Sequence, residues 1–174
     1  MQYDLQKSVE ILQRTPVVTR DLLLGIHPDW LMNNEGPDTF SPFDVVGHLV
    51  HGEKTDWTAR IKMIVQHENT LPFEKFDRFA MYQESKGKTL KELLDEFESL
   101  RKENLQWLIE LDLGPADFAK PGLHPVLGEV TMENLLATWV VHDLTHIAQI
   151  TRVMAKQYKE AVGPWGEFFR ILHF

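Results

Sequence analysis

The sequence contains no cysteine. Disulfides, thiolate metal sites and a cysteine nucleophile are therefore excluded, and any metal site must use histidine, carboxylate and water. No apolar run approaches the roughly 18 residues that a membrane span requires, so no membrane role is expected. Cations are in the minority: 18 Lys and Arg stand against 26 Asp and Glu, a formal net charge of −8. No Lys/Arg-rich run is available to replace the counterions on phosphate, and nucleic-acid binding is not expected. A Gly-x-Ser-x-Gly elbow, a phosphate loop and a dinucleotide fingerprint are all missing. The chain begins Met1-Gln2-Tyr3-Asp4. This polar, acidic start is unlike a signal peptide, which makes a cytoplasmic location the expectation.

What remains is an ordinary globular composition, 43% hydrophobic and 25% charged over 174 residues. Such a chain suits one domain, residues 1–174, with a core that needs no staples. Leu5, Val9, Leu12, Val18, Leu22 and Leu23 predict a first helix over 4–25, kinked or split at Pro16. Residues 26–40 read as a turn-rich connection. Ser41-Pro42-Phe43-Asp44 starts a second helix: a cap, a proline at the first position and an acid in the first turn. That helix should run to about Gln66. Residues 67–88 form a long connection with a short helical turn around 74–82. A link of that length suits a crossover between two parallel helices of a bundle. Thr89 and Glu92 make a capping box for a third helix ending near Leu111. Residues 112–130 read as loop, and Thr131 caps a fourth helix to about Tyr158. The aromatic tail, 162–174, is expected to pack back on the body. Four amphipathic segments and no convincing strand predict an all-α, up-down-down-up four-helix bundle, with the crossover between helices two and three.

The chemistry concentrates in the fourth helix. His142 and His146 are four apart and share a helical face beside the apolar arc of Leu136, Val140, Ile147, Ile150 and Met154. Two imidazoles so placed can reach one metal ion, although such a pair is also found with one ring packed and the other solvated. His48, at the flank of the second helix's apolar face, is a third candidate. Zinc and nickel both accept imidazole, and three protein ligands with one open position is the pattern of a catalytic zinc site. His48, His142 and His146 are thus the candidate metal ligands, and no catalytic residue is assigned. A fourth protein ligand, from His51, His124 or Glu53, would make the ion structural and the bundle a stress or interaction module. Histidines that merely pack would bind no ion.

Several neighbours carry two readings. Gly52 leaves room for substrate beside the ion, or lets helices approach closely. His51 supports the ligands or is a partly exposed histidine. Glu53 is a base or a structural hydrogen-bond acceptor. Asp143 faces about 100° from His142 and suits an Arg or His partner. His124 reaches the site mouth or stays in its loop. Trp139 walls the pocket or sits in the core. Gln149 binds a ligand or a water at the ion. His27, His67 and His173 have no visible partners.

Three stretches together resemble one family. They are Ser41-Pro42-Phe43-Asp44-Val45-Val46-Gly47-His48-Leu49, the loop His124-Pro125-Val126-Leu127-Gly128, and Trp139-Val140-Val141-His142-Asp143-Leu144-Thr145-His146-Ile147-Ala148-Gln149-Ile150. With the tail Tyr158 to Trp165, they make the chain similar to the DinB-like branch of the DinB/YfiT-like superfamily over nearly its whole length. The resemblance implies an up-down-down-up four-helix bundle, often dimeric, with a divalent ion, zinc or nickel among others, on three histidines. The matching positions are His48, His142 and His146. Some such proteins are metal-dependent transferases of low-molecular-weight thiols, some are thiol-dependent isomerases, and others are described as metal-dependent hydrolases. On this analogy the expectation is a thiol S-transferase acting on a small molecule, with a hydrolase as the alternative and a homodimer as the assembly.

Overall fold

The structure, a computed structural model, describes residues 1–173. Helix α1, Leu5–Leu23, starts where the Asp4 carboxylate accepts from the Lys7 amide at 2.9 Å. Pro16 lies inside it without splitting it. The missing Pro16 N–H frees the Leu12 carbonyl four residues back. Arg101 Nη1 donates to that oxygen at 2.7 Å, so the proline's cost is met from another helix. One short turn, α2 (Pro28–Met32), follows within the predicted connection.

Helix α3, Pro42–Thr55, opens on the predicted cap Ser41, which Asp44 completes as a capping box. The second predicted helix is not continuous. It breaks at Asp56 and resumes as α4, Trp57–His67. Thr55 Oγ1 donates back to the His51 carbonyl at 2.9 Å, a bond that bends helices. The long connection then carries one turn, α5 (Met81–Glu84), which overlaps the predicted turn only at its end. Thr89 and Glu92 cap α6, Leu90–Glu110, as their spacing predicts.

The expectation of an unstructured 112–130 fails. That segment holds a short helix, α7 (Pro115–Phe118), and an antiparallel hairpin, β1 (Pro121–His124) with β2 (Gly128–Thr131). Strands of four residues with a proline and two glycines show no alternation to read. The turn is held by His124, whose Nδ1 accepts from the Val126 and Leu127 amides at 3.2 and 3.1 Å. Gly122 is required for packing, because a Cβ there would lie 2.6 Å from Phe73 and 2.8 Å from Ile64. The long connection is tied to the hairpin by Phe73 N donating to Leu123 O at 2.8 Å.

Helix α8, Met132–Lys156, follows. In the tail, two 3-10 turns at Gly163–Phe168 and Arg170–Leu172 return Leu172 to a buried position. The tail is only partly docked: Trp165 and Phe168 remain 68% and 76% exposed. Phe174 lies outside the described residues. The fold is mostly helical: α1 packs on α6 and α8, and α3 packs on the same two helices. The core falls into two clusters. One gathers Leu12, Trp57, Ile61, Leu108, Leu136 and Trp139; the other gathers Val46, Leu49, Leu94, Phe97 and Ile150. Polar side chains from α3, α6 and α8 meet between them.

Candidate metal centre

Helix α3 presents His48, and one turn of α8 presents His142 and His146. His142 Nε2 stands 3.1 Å from His48 Nε2 and 3.1 Å from His146 Nε2. One ligand atom from each ring lies within 4.8 Å of the others. A zinc–nitrogen bond of about 2.0–2.1 Å places neighbouring ligand nitrogens on one ion roughly 3–3.5 Å apart, so the spacing fits. Hydrogen bonding alone does not account for it. A neutral imidazole has one N–H, so His142 Nε2 can donate to only one of the two nitrogens it faces. The other contact is then left without a hydrogen bond, and a cation could engage one lone pair from each ring. His146 is already oriented for this. Its Nδ1 lies 2.8 Å from Gln149 Oε1, which places the proton on Nδ1 and leaves Nε2 free to ligate.

Two of the rings, His48 and His146, are held neutral. His48 is 6% exposed, and burial, reinforced by His146 and His142, pushes its pKa down to about 3. Burial and then His142 push His146 down to about 4. Neutral imidazoles are the ligating form, so at neutral pH an ion displaces no proton from these two.

The cluster forms part of the wall of an open cavity of about 440 Å³. Phe40 and Phe76 flank His48, with ring centroids 5.6 and 5.4 Å away. The break between α3 and α4 turns Trp57 inward, and its ring meets His142 edge-on at 5.0 Å. Asp56, Arg60, Arg78, Thr138 and His124 complete the polar lining. Burial holds the Asp56 carboxyl above the ordinary carboxylate range, although Arg60 Nε lies 2.6 Å from its Oδ1.

Behind the cluster lies a buried charge network. Arg101, from α6, donates through Nη2 to Glu53 Oε1 at 2.8 Å and through both terminal nitrogens to Asp143. Asn104 Nδ2 donates to Glu53 Oε2 at 3.0 Å, and Trp139 Nε1 to Glu53 Oε1 at 3.2 Å. Burial alone would lower the Arg101 pKa, but Glu53 and Asp143 more than offset it and the guanidinium stays charged.

The candidate residues divide accordingly. The structure brings His48, His142, His146, Gln149 and His124 to one cavity. Glu53 is committed to Arg101 and Asn104, which makes it a structural acceptor and not a base at the cavity. His51 turns away: its Nδ1 lies 2.9 Å from Glu84 Oε1. Two expectations need correcting. Trp139 does not wall the pocket but stacks on Trp57 at 5.5 Å within the core, and Trp57 is the wall. Gly52 leaves no room for substrate, because a Cβ there would already lie 3.3 Å from the Trp57 indole nitrogen. Sequence reasoning missed Asp56, Trp57, Arg60, Phe76 and Arg78. Asp56 and Arg60 carry a signal, an i,i+4 acid–base pair; Phe76 and Arg78 sit in an aperiodic segment and carry none.

Against known proteins, no curated protein matches. The chain is similar in structure to a solved protein described as "YfiT from Bacillus subtilis is a probable metal-dependent hydrolase with an unusual four-helix bundle topology". That match has a TM-score of 0.74 at 22% identity, over 88% of this chain and 86% of the other. At that identity it speaks for a shared fold only. The model of the DinB superfamily matches residues 11–150, a span that includes all three histidines, the whole of α3 and most of α8, and the chain belongs to that superfamily.

Proposed function

We propose that this protein is a divalent-metal-dependent enzyme acting on a small molecule, with the ion held by His48, His142 and His146. The observation that carries this is the convergence of three histidine Nε2 atoms on the wall of a cavity. No fourth histidine or acid of the described residues joins the group, which favours a catalytic over a structural ion. A bound ion would supply Lewis acidity to a water or a thiol in the cavity.

The chain's own groups have definable tasks. Gln149 keeps the His146 proton on Nδ1. Trp57 shields His142 from solvent on one side. Asp56, held above the usual carboxylate range and clamped by Arg60, is the group on the wall suited to take up the nucleophile's proton. Of the two nucleophiles we favour a low-molecular-weight thiol, hence S-transfer, on the analogy of the family. Hydrolysis is the second reading, supported by the description of the YfiT structure. With either we propose the up-down-down-up helix order, residues 67–88 as the crossover, and a homodimer.

The test is elemental analysis of protein purified without a His-tag, followed by titration with zinc, nickel and cobalt. Bound or titratable metal near one ion per chain is expected; none in either experiment overturns the proposal. Glutathione, bacillithiol and mycothiol assayed with electrophiles then separate the nucleophiles. Ester or amide cleavage without any thiol dependence would replace S-transfer by hydrolysis.

A further inference from the structure

Arg78 differs from the other cation of the cavity. Arg60 is answered by Asp56. Arg78 also lines the cavity, yet no ion pair or side-chain hydrogen bond holds it among the described residues. Its guanidinium lies over two aromatic rings instead, 5.3 Å from the centroid of Phe40 and 4.8 Å from that of Phe79. Ring contacts of this kind restrain the planar group while leaving its in-plane N–H donors unspent. The residue is close to the histidine cluster: its charge helps hold His146 neutral, and its main chain lies against His48. The cavity wall thus carries two arginines against one aspartate in a chain of formal net charge −8.

We infer that Arg78 is the anion-binding residue of this cavity, and that its substrate is a small carboxylate with an apolar body. The guanidinium fork matches a carboxylate through two parallel N–H···O bonds. The apolar body would lie on Phe40 and Phe76. The inference rests on the cavity being the substrate side of the histidine cluster, as proposed above.

The test uses the full chain and two near-isosteric probes, phenylacetate and phenylacetamide, titrated by calorimetry into metal-free and cobalt-loaded protein. In metal-free protein phenylacetate is expected to bind at least about tenfold more tightly, the scale of one charge-assisted bond. Arg78→Gln is expected to bring that ratio below about twofold with an unchanged thermal midpoint. Arg78→Lys, a charge without the fork, should leave an intermediate ratio. Equal affinities in the natural protein, no binding of either probe, or a preference that survives Arg78→Gln would each overturn the inference. The cobalt arm separates it from the metal assignment. An Arg78-dependent preference without cobalt uptake removes the metal and leaves the anion site; cobalt uptake without that preference does the reverse.

Discussion

Asp143 and its neighbour His142 follow one another on α8, yet they belong to opposite kinds of site. Asp143 enters a network in which three buried charges satisfy one another: Glu53, Arg101 and Asp143, with Asn104 and Trp139 donating to the remaining lone pairs. His142 turns its Nε2 to the other side, where it stands 3.1 Å from the Nε2 atoms of both His48 and His146. The first region is closed to solvent. The second is open to a cavity and could hold a cation. In the first region every carboxylate oxygen of Glu53 and Asp143 accepts a bond, whereas the second sets ring nitrogens against one another.

Removing the cation of the closed region should have the largest effect. Arg101→Met leaves Glu53 and Asp143 buried without their partner and strips the Leu12 carbonyl of its donor. A loss of about 3–5 kcal/mol in urea unfolding is expected. Replacing all three charged residues together by apolar side chains of similar size should restore much of it. A loss below about 1 kcal/mol from Arg101→Met would mean that the network does not behave as closed.

The open region should respond in ligand affinity, not in stability. His142→Ala removes the nitrogen that touches both others, and zinc affinity should fall more than the roughly 10–100-fold typical of a supporting residue. The unfolding midpoint of metal-free protein should barely move. Zinc at about 100 times its dissociation constant should stabilise the natural protein by about 2.7 kcal/mol. A chelator should abolish that gain, and so should the substitution. Marked destabilisation of metal-free His142→Ala would place the cluster among packed core histidines.

Gln149→Leu is a gentler version, since it leaves all three ligands and removes the group that orients one. A 10–100-fold loss of zinc affinity is expected by equilibrium competition with a chromophoric chelator, about 1.4–2.8 kcal/mol. Unchanged affinity would show that packing alone orients His146.

A further effect is one of pH. Burial lowers the folded pKa values of His48 and His146 to about 3 and about 4, below the ordinary histidine value of about 6.5. Between those limits the unfolded chain binds more protons, so stability rises with pH. Their contribution is therefore complete above about 6.5 and lost as pH falls toward 4. Metal-free His48→Gln should show a flatter decline over that window in urea midpoints. An equal slope in the two proteins would mean that His48 does not resist protonation.

Much of the helical frame was legible because its signals are local. Ser41 with Asp44, Thr89 with Glu92 and Thr131 with Asn134 each cap a helix through partners three residues away. The histidine ligands were legible for a related reason: His142 and His146 share a face through helical spacing. What escaped the sequence depends on distant contacts. Pro16 predicts a break, which Arg101 prevents from 85 positions further along the chain. The hairpin at 121–131 is too short to alternate, and the register that reveals it comes from packing on Phe73 and Ile64. Gly52 signals a gap, and only the turn at Asp56 shows that Trp57 fills it.

By itself the sequence determined the main helices, their starts and the residue types available to a metal, because capping, periodicity and donor chemistry are settled within a few bonds or a few residues. Only the tertiary structure decided that His48 meets His142 and His146, and that Glu53 is spent on Arg101 while Asp56 and Arg78 line the cavity. Those assignments depend on how helices are rotated against one another. The rotation is set by the summed packing of two cores and one buried charge network, which no local stretch of the chain encodes.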